Sequence, residues 1–297
     1  MTYRIGIDLG GTKIEVAALM GSGDLEHRVR VPTPPDYRAT IEAIAELVAG
    51  TERALGPCGG IGIGIPGTIS PATGFVKNAN SERLNGNPFD KDLEARLGRP
   101  VRVSNDANCF AMSEAADGAG AGAQCVFGVI IGTGCGGGIV VGGKVLEGRQ
   151  RIAGEWGHTP LPWPRAEEMP LRRCWCGKVG CLETYVAGPA LAAEADGIGA
   201  RDAGGLPARA AAGDERAVRA LAIHAERLAR GLAMIVNILD PDVIVLGGGL
   251  SNLDHLYQDV PALMKPFVIS DTFDTPILRN KHGDSSGVRG AAWLWPA

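Results

Sequence analysis

Three clusters in the sequence have residue types and spacings that can do chemistry. Asp8-Leu9-Gly10-Gly11-Thr12-Lys13 follows a short apolar run, and glycines at such a turn let backbone N–H groups approach phosphate oxygens. Thr12 adds a hydroxyl donor, and Asp8 offers a carboxylate for hydrated Mg²⁺. Taken alone, Gly10-Gly11-Thr12 reads equally well as a plain hairpin turn. Gly132-Thr133-Gly134-Cys135-Gly136-Gly137-Gly138 repeats the same strand, glycine-threonine turn, strand context, and two such turns can grip one polyphosphate. Asn105-Asp106-Ala107-Asn108 follows the apolar run Val101-Arg102-Val103 and opens a helix through Cys109 to Met112. A carboxylate at that junction can accept a hydroxyl proton, although Asn and Asp there are also ordinary helix N-caps.

The third cluster pairs His158, in Gly154-Glu155-Trp156-Gly157-His158, with Cys174, Cys176 and Cys181, in Cys174-Trp175-Cys176-Gly177-Lys178-Val179-Gly180-Cys181. One imidazole and three thiolates complete a tetrahedral set for Zn²⁺ and leave no open position, so the expected role is structural. Three core cysteines beside an unrelated histidine is the competing reading. Glu155 and Glu183 flank this knuckle, where carboxylates on a rigid loop suit sugar hydroxyls, or else lie solvated at the surface.

Elements of alternating α/β type must hold these clusters. Ile5–Leu9 and Ile14–Leu19 read as two strands joined by the first glycine turn, and 126–131 and 139–141 repeat the arrangement. Thr40–Leu55 has helical spacing of apolar residues, 60–65 reads as a buried strand ending at Pro66-Gly67, and Glu215–Leu239 is a long amphipathic helix feeding a strand at 243–246. That strand ends in Gly247-Gly248-Gly249. The Gly/Ala run at 118–123 has the composition of a crossover. The expected division is therefore a first lobe over 1–117, and a second over 118–286 with the knuckle at 158–181. A helix near 287–297 is expected to cross back to the first lobe.

Composition narrows the function classes. With 29 Lys plus Arg against 33 Asp plus Glu, the net charge of -4 supplies no basic field for a nucleic acid. Neither a signal-peptide core nor an apolar run near the ~18 residues of a membrane span is visible, so a soluble, cytoplasmic chain without a membrane partner is expected. Seven cysteines, three of them crowded into eight positions, suit metal ligation better than disulfides.

Taken together, Asp8–Lys13, Gly64-Ile65-Pro66-Gly67, Asn105–Asn108, Gly154–His158 and the Cys174–Cys181 knuckle resemble the ROK family of sugar kinases and repressors. The resemblance implies an α/β fold of two actin-like (ribonuclease H-like) lobes around a nucleotide and sugar cleft, with ATP and Mg²⁺ as cofactors and structural Zn²⁺. By the same resemblance Asp106 is the catalytic base, and Gly67, Asn80, Asn105, Asp106, Glu155, His158 and Glu183 are sugar contacts. Asp8, Gly10, Gly11, Thr12, Lys13, Thr133, Gly134, Cys135, Gly136, Gly247, Gly248 and Gly249 match nucleotide contacts, and His158, Cys174, Cys176 and Cys181 match the zinc ligands. Repressors of the family carry a helix-turn-helix ahead of the first glycine motif, whereas here that motif begins at Asp8, so no DNA-reading segment is expected. Within the kinases, the 76–89 loop and the 282–295 segment look most like fructokinases that also accept mannose, acting on the 6-hydroxyl. N-acetylglucosamine or glucose kinase is the nearest alternative, a non-catalytic sugar sensor is the alternative of another class, and the family implies a homodimer.

Overall fold

The computed structural model describes residues 3–79 and 82–296. Buried, isoleucine-rich β1 (Arg4–Leu9) pairs antiparallel with β2 (Lys13–Leu19), in register from Arg4–Leu19 to Leu9–Ile14, leaving 10–12 as the turn. β3 (Leu25–Pro32) alternates half-buried and exposed side chains, as suits a strand with one face on the core. α1 (Tyr37–Leu55) starts where the Asp36 carboxylate accepts the Ala39 N–H, and it buries Ile41, Ile44, Ala45 and Val48. Fully buried β4 (Ile61–Ile65) leads to the small hairpin β5 (Thr68–Ile69) and β6 (Val76–Lys77), then α2 (Phe89–Leu97), β7 (Arg102–Asn105) and α3 (Asp106–Ala116). These strands form one sheet in the order β3-β2-β1-β4-β7, with β1, β4 and β7 parallel.

β8 (Cys125–Ile131), β9 (Cys135–Val141) and β10 (Lys144–Val145) follow, and then α4 (Glu183–Val186), α5 (Gly188–Asp196) and α6 (Leu206–Ala211). The Asp214 side chain caps α7 (Glu215–Leu239) by accepting the Arg216 and Ala217 N–H groups, and the helix stops at Asp240, whose φ is 47°. β11 (Val243–Gly247), α8 (His255–Met264), β12 (Ile277–Arg279) and α9 (Ser286–Trp293) complete the chain. The second sheet has the order β10-β9-β8-β11-β12, with β11 parallel to both β8 and β12.

The chain divides into two compact units, one of Met1–Gly122, Gly138–Gly154 and Lys281–Ala297, the other of Ala123–Gly137 and Glu155–Asn280. In the first, α9 lies across β1, β2 and β4 and against α3. It sits so close that a Cβ at Gly6, Gly62 or Gly290 would run into a backbone carbonyl, that of Val288, Ala291 and Cys109 respectively. The Trp295 indole N–H donates to the Ile61 carbonyl at 2.7 Å just beyond the helix. In the second, Glu168 is buried among Arg227 and Arg230, which donate to its carboxylate at 2.6–3.0 Å.

Two local outcomes differ from the sequence reading. β9 already begins at Cys135, so the second glycine turn is only 132–134, and 135–138 are strand. Gly138 is glycine for a strand's reason, since a Cβ there would lie 2.9 Å from the Ala111 methyl on α3. β7 runs to Asn105, two residues beyond the apolar run, because Ile65 pairs with Asn105. Among the described residues no helix is long and apolar enough to cross a membrane, and all seven cysteines are free thiols.

Candidate active site

In the first unit the parallel strands β1, β4 and β7 deliver Asp8, Gly67 and Asn105–Asp106 at or just after their C-terminal ends. That is where the loops of an open α/β sheet collect ligands. Burial pushes the Asp8 carboxyl above its usual range, Glu15 adds to the push, and Lys13 opposes it. A divalent cation at Asp8 would restore its charged form. The turn is closed by Gly10 N–H donating to the Lys13 carbonyl at 2.9 Å, with Gly11, Thr12 and Lys13 exposed. A Cβ at Gly11 would meet nothing, and its φ is not left-handed, so neither packing nor backbone geometry calls for glycine there. The open space leaves room for a ligand such as a phosphate to approach the backbone closely.

Asn105, not Asp106, caps α3. Its Oδ1 accepts the Ala107 N–H at 2.9 Å while its Nδ2 donates to the Gly67 carbonyl at 3.1 Å. Gly67 holds φ 78°, and a Cβ would lie 2.6 Å from the Ala79 nitrogen, so this residue is fixed by its own turn. Asp106 is the first residue of the helix, its carboxylate exposed at the N-terminal end where the helix dipole favours the anion. Asn80, an expected sugar contact, lies outside the described residues. Arg83, which no sequence pattern singled out, donates to the Gly11 carbonyl at 2.6 Å and also to that of Pro34, fastening the first glycine turn from outside.

In the second unit His158, Cys174, Cys176 and Cys181 come together. Cys174 Sγ lies 3.6 Å from His158 Nδ1, Cys176 Sγ lies 3.6 Å from Cys181 Sγ, and all four ligand atoms fall within 4.8 Å of one another. A tetrahedron with Zn–S bonds of about 2.3 Å has S–S edges of about 3.8 Å. Burial, helped by the neighbouring thiols, pushes Cys181 up to about 12, so a bound cation is what would keep it a thiolate. The donor set is compatible with zinc. Backbone bonds already fold the knuckle, Cys174 N–H to Lys178 and Gly177 N–H to Cys174, at 2.9 and 3.1 Å.

The same unit holds the second glycine turn through residues flanking the knuckle. Glu183 Oε2 accepts the Cys135 N–H at 2.9 Å, the Trp156 indole donates to the Gly136 carbonyl at 3.0 Å, and the Gly188 N–H donates to the Gly132 carbonyl at 2.7 Å. Thr133 is exposed on the turn and Gly134 packs against Glu183. Glu183 Oε1 accepts the Trp175 indole N–H at 2.7 Å. Glu155 precedes the short 3₁₀ turn that carries His158. Gly247 ends β11, Gly248 takes φ 79° against the Ile131 carbonyl, and a Cβ at Gly249 would meet nothing, as at Gly11.

Two mixed α/β units of actin-like build, a glycine-threonine turn in each, a carboxylate at a strand-to-helix junction and a cysteine-imidazole knuckle are joined by the family match and its kinase relatives in making this chain an ATP-dependent sugar kinase. The ROK family model matches residues 4–297, and the chain belongs to the ROK family. It is 40% identical to the N-acetyl-D-glucosamine kinase of Pasteurella multocida over 302 aligned positions, covering 98% of this chain and 99% of that one. Among solved structures it resembles the ROK hexokinase of Thermus thermophilus, with a TM-score of 0.86, 34% identity and 99% and 97% of the two chains covered. It also resembles a ROK glucokinase of Streptomyces griseus in complex with glucose and AMPPNP, with a TM-score of 0.74, 30% identity and 98% of each chain covered. None of these three is a fructokinase. The 76–89 loop, on which the fructose expectation rests together with the 282–295 segment, also has local work to do. The Asn85 amide exchanges hydrogen bonds with the Ala79 backbone and Asn87 donates to the Arg83 carbonyl, so these asparagines close their own turn.

Proposed function

We propose that this hexose kinase phosphorylates the 6-hydroxyl of N-acetyl-D-glucosamine. The observation that carries the choice of sugar is the 40% identity, along nearly the full length of both chains, to a protein named as an N-acetyl-D-glucosamine kinase. Asp106 accepts the hydroxyl proton as the sugar oxygen forms its bond to the γ-phosphorus, the bond from that phosphorus to the β,γ-bridging oxygen breaks, and ADP departs. N–H groups of the turns at 10–12 and 132–134 take up charge on the phosphoryl oxygens. Asp8 would hold Mg²⁺ arriving with ATP, which would supply further charge neutralisation. Asn105, Glu155, His158 and Glu183 are assigned to sugar hydroxyls by the family resemblance, with His158 turning Nδ1 to the metal and Nε2 to the sugar. His158, Cys174, Cys176 and Cys181 would hold Zn²⁺, which would fix His158 in place and supply no chemistry to the transfer.

The test is ADP release with MgATP and N-acetylglucosamine, glucose, mannose or fructose. We expect the highest kcat/KM on N-acetylglucosamine. Asp106→Asn should lower kcat by about a hundredfold or more while sugar affinity stays within about threefold, because size and hydrogen-bonding reach survive and basicity does not. Preference for fructose would restore the reading from the 76–89 loop and the 282–295 segment. Silence on every hexose, with sugar still bound, would make the chain a sensor.

A further inference from the structure

Trp175 is the one residue between the two closest-spaced thiols of the knuckle, so whatever fixes Cys174 and Cys176 fixes its backbone on both sides. The side chain is 66% exposed, more than any core role requires, yet it is not idle. Its ring meets the His158 ring edge-on, with centroids 5.1 Å apart, and its N–H donates to Glu183 Oε1 at 2.7 Å. The other oxygen of that carboxylate accepts the Cys135 N–H at 2.9 Å, at the first residue after the 132–134 turn. A Cβ at Gly134 would lie 2.9 Å from Glu183 Oε2, so a side chain there would push the carboxylate aside. An edge-on ring contact and two hydrogen bonds therefore link His158, through the Trp175 indole and the Glu183 carboxylate, to Cys135 beside the glycine turn, all inside one compact unit.

We infer that Trp175 is a positioning residue for nucleotide binding, acting through Glu183: the knuckle holds the indole, the indole orients the carboxylate, and the carboxylate sets the N–H groups of the second glycine turn. The role rests on reading 132–134 as a nucleotide contact. Each carboxylate oxygen has two acceptor sites, so both bonds can persist while Glu183 also accepts a sugar hydroxyl. A benzene ring in place of the indole keeps the apolar body and the contact with His158 but removes the donor. Hydrogen bonds to a charged acceptor are among the stronger ones, so the carboxylate loses much of its orientation with that donor.

The experiment compares the wild type, Trp175→Phe and Glu183→Gln as full-length, zinc-loaded proteins. Glu183→Gln leaves one acceptor oxygen for two donors. Trp175→Phe should retain one zinc per chain, raise KM for ATP about tenfold and raise KM for the sugar by much less. Amide exchange across 132–136 should quicken, while the rest of the second unit keeps wild-type protection. Chelating zinc from the wild type should quicken exchange in the same segment. An unchanged KM for ATP with unchanged exchange at 132–136 would overturn the inference, as would a loss confined to sugar KM. If Trp175→Phe loses zinc or unfolds, Glu183→Gln decides alone, by the same ATP KM and exchange readouts. Amide exchange needs no substrate, so it judges the path even if no hexose is phosphorylated, a result that would sink the functional reading instead.

Discussion

Both ends of the Asn105 amide are engaged within the protein, one in capping α3 and one in holding Gly67, and its neighbour Asp106 stands at the head of the helix with its own Oδ1 accepting the Ala107 N–H at 2.8 Å. Each carboxylate oxygen has two acceptor sites, so the bond to Ala107 orients the Asp106 carboxylate without exhausting its capacity to accept a proton, as the proposed base role requires. At the knuckle, each ligand matters because four donors fill a tetrahedron. Cys176→Ser should lose bound zinc, measured by elemental analysis, and melt roughly 5 °C or more below the wild type. Full zinc content in that variant would remove Cys176 from the ligand set. The glycine turns, the carboxylate at the strand-to-helix junction and the histidine-cysteine cluster were legible as local structure because each is a pattern of residue types along a few positions. Trp175 and Arg83 were not, because their partners, Glu183 and the carbonyls of Gly11 and Pro34, are chosen by folding and leave no mark in local spacing.

Elements with strong periodicity were the easiest to read. α7 spans Glu215–Leu239, the bounds its apolar stripe and the capping Asp214 imply. The β9 boundary was missed because four residues rich in glycine look like a turn until α3 is seen packed on them. Inside α7, His224 is almost fully buried with Nε2–H donating to the Val186 carbonyl at 2.8 Å. Burial lowers its pKa from 6.5 to about 4, although the bond to Val186 pulls the other way and the charges of His255 and Arg227 push further down. The folded chain therefore holds it neutral, and the unfolded chain protonates it first. Stability is complete above pH 6.5 and is lost as pH falls through the window from 6.5 to 4, by on the order of 3 kcal/mol from this group. Thermal melts at pH 7.5, 6 and 4.5 should show that slope, and His224→Gln, which keeps an N–H donor, should flatten it. Identical slopes in both proteins would place the acid sensitivity elsewhere.

Across the whole molecule, the chain visits the first unit three times, and the last visit brings α9 onto β1, β2 and β4. The sequence reading expects a helix near 287–297 to cross back to the first lobe, but the tightness of the contact was not legible, because it depends on carbonyl oxygens meeting glycines more than a hundred residues away in sequence. Gly290→Ala places a methyl against the Cys109 carbonyl and should destabilise the protein by about 2 kcal/mol or more, read as an earlier denaturant midpoint at unchanged m. A neutral effect would mean that α9 can shift on the sheet. The same threading has a consequence during synthesis. At 5–20 residues per second, the 158 residues from 123 to 280 take about 10 to 30 s to make, and throughout that interval the strands that await α9 lack the helix that covers them. On the ribosome, the early part of this chain is therefore a natural client for chaperones that shield apolar surface, until its last helix arrives.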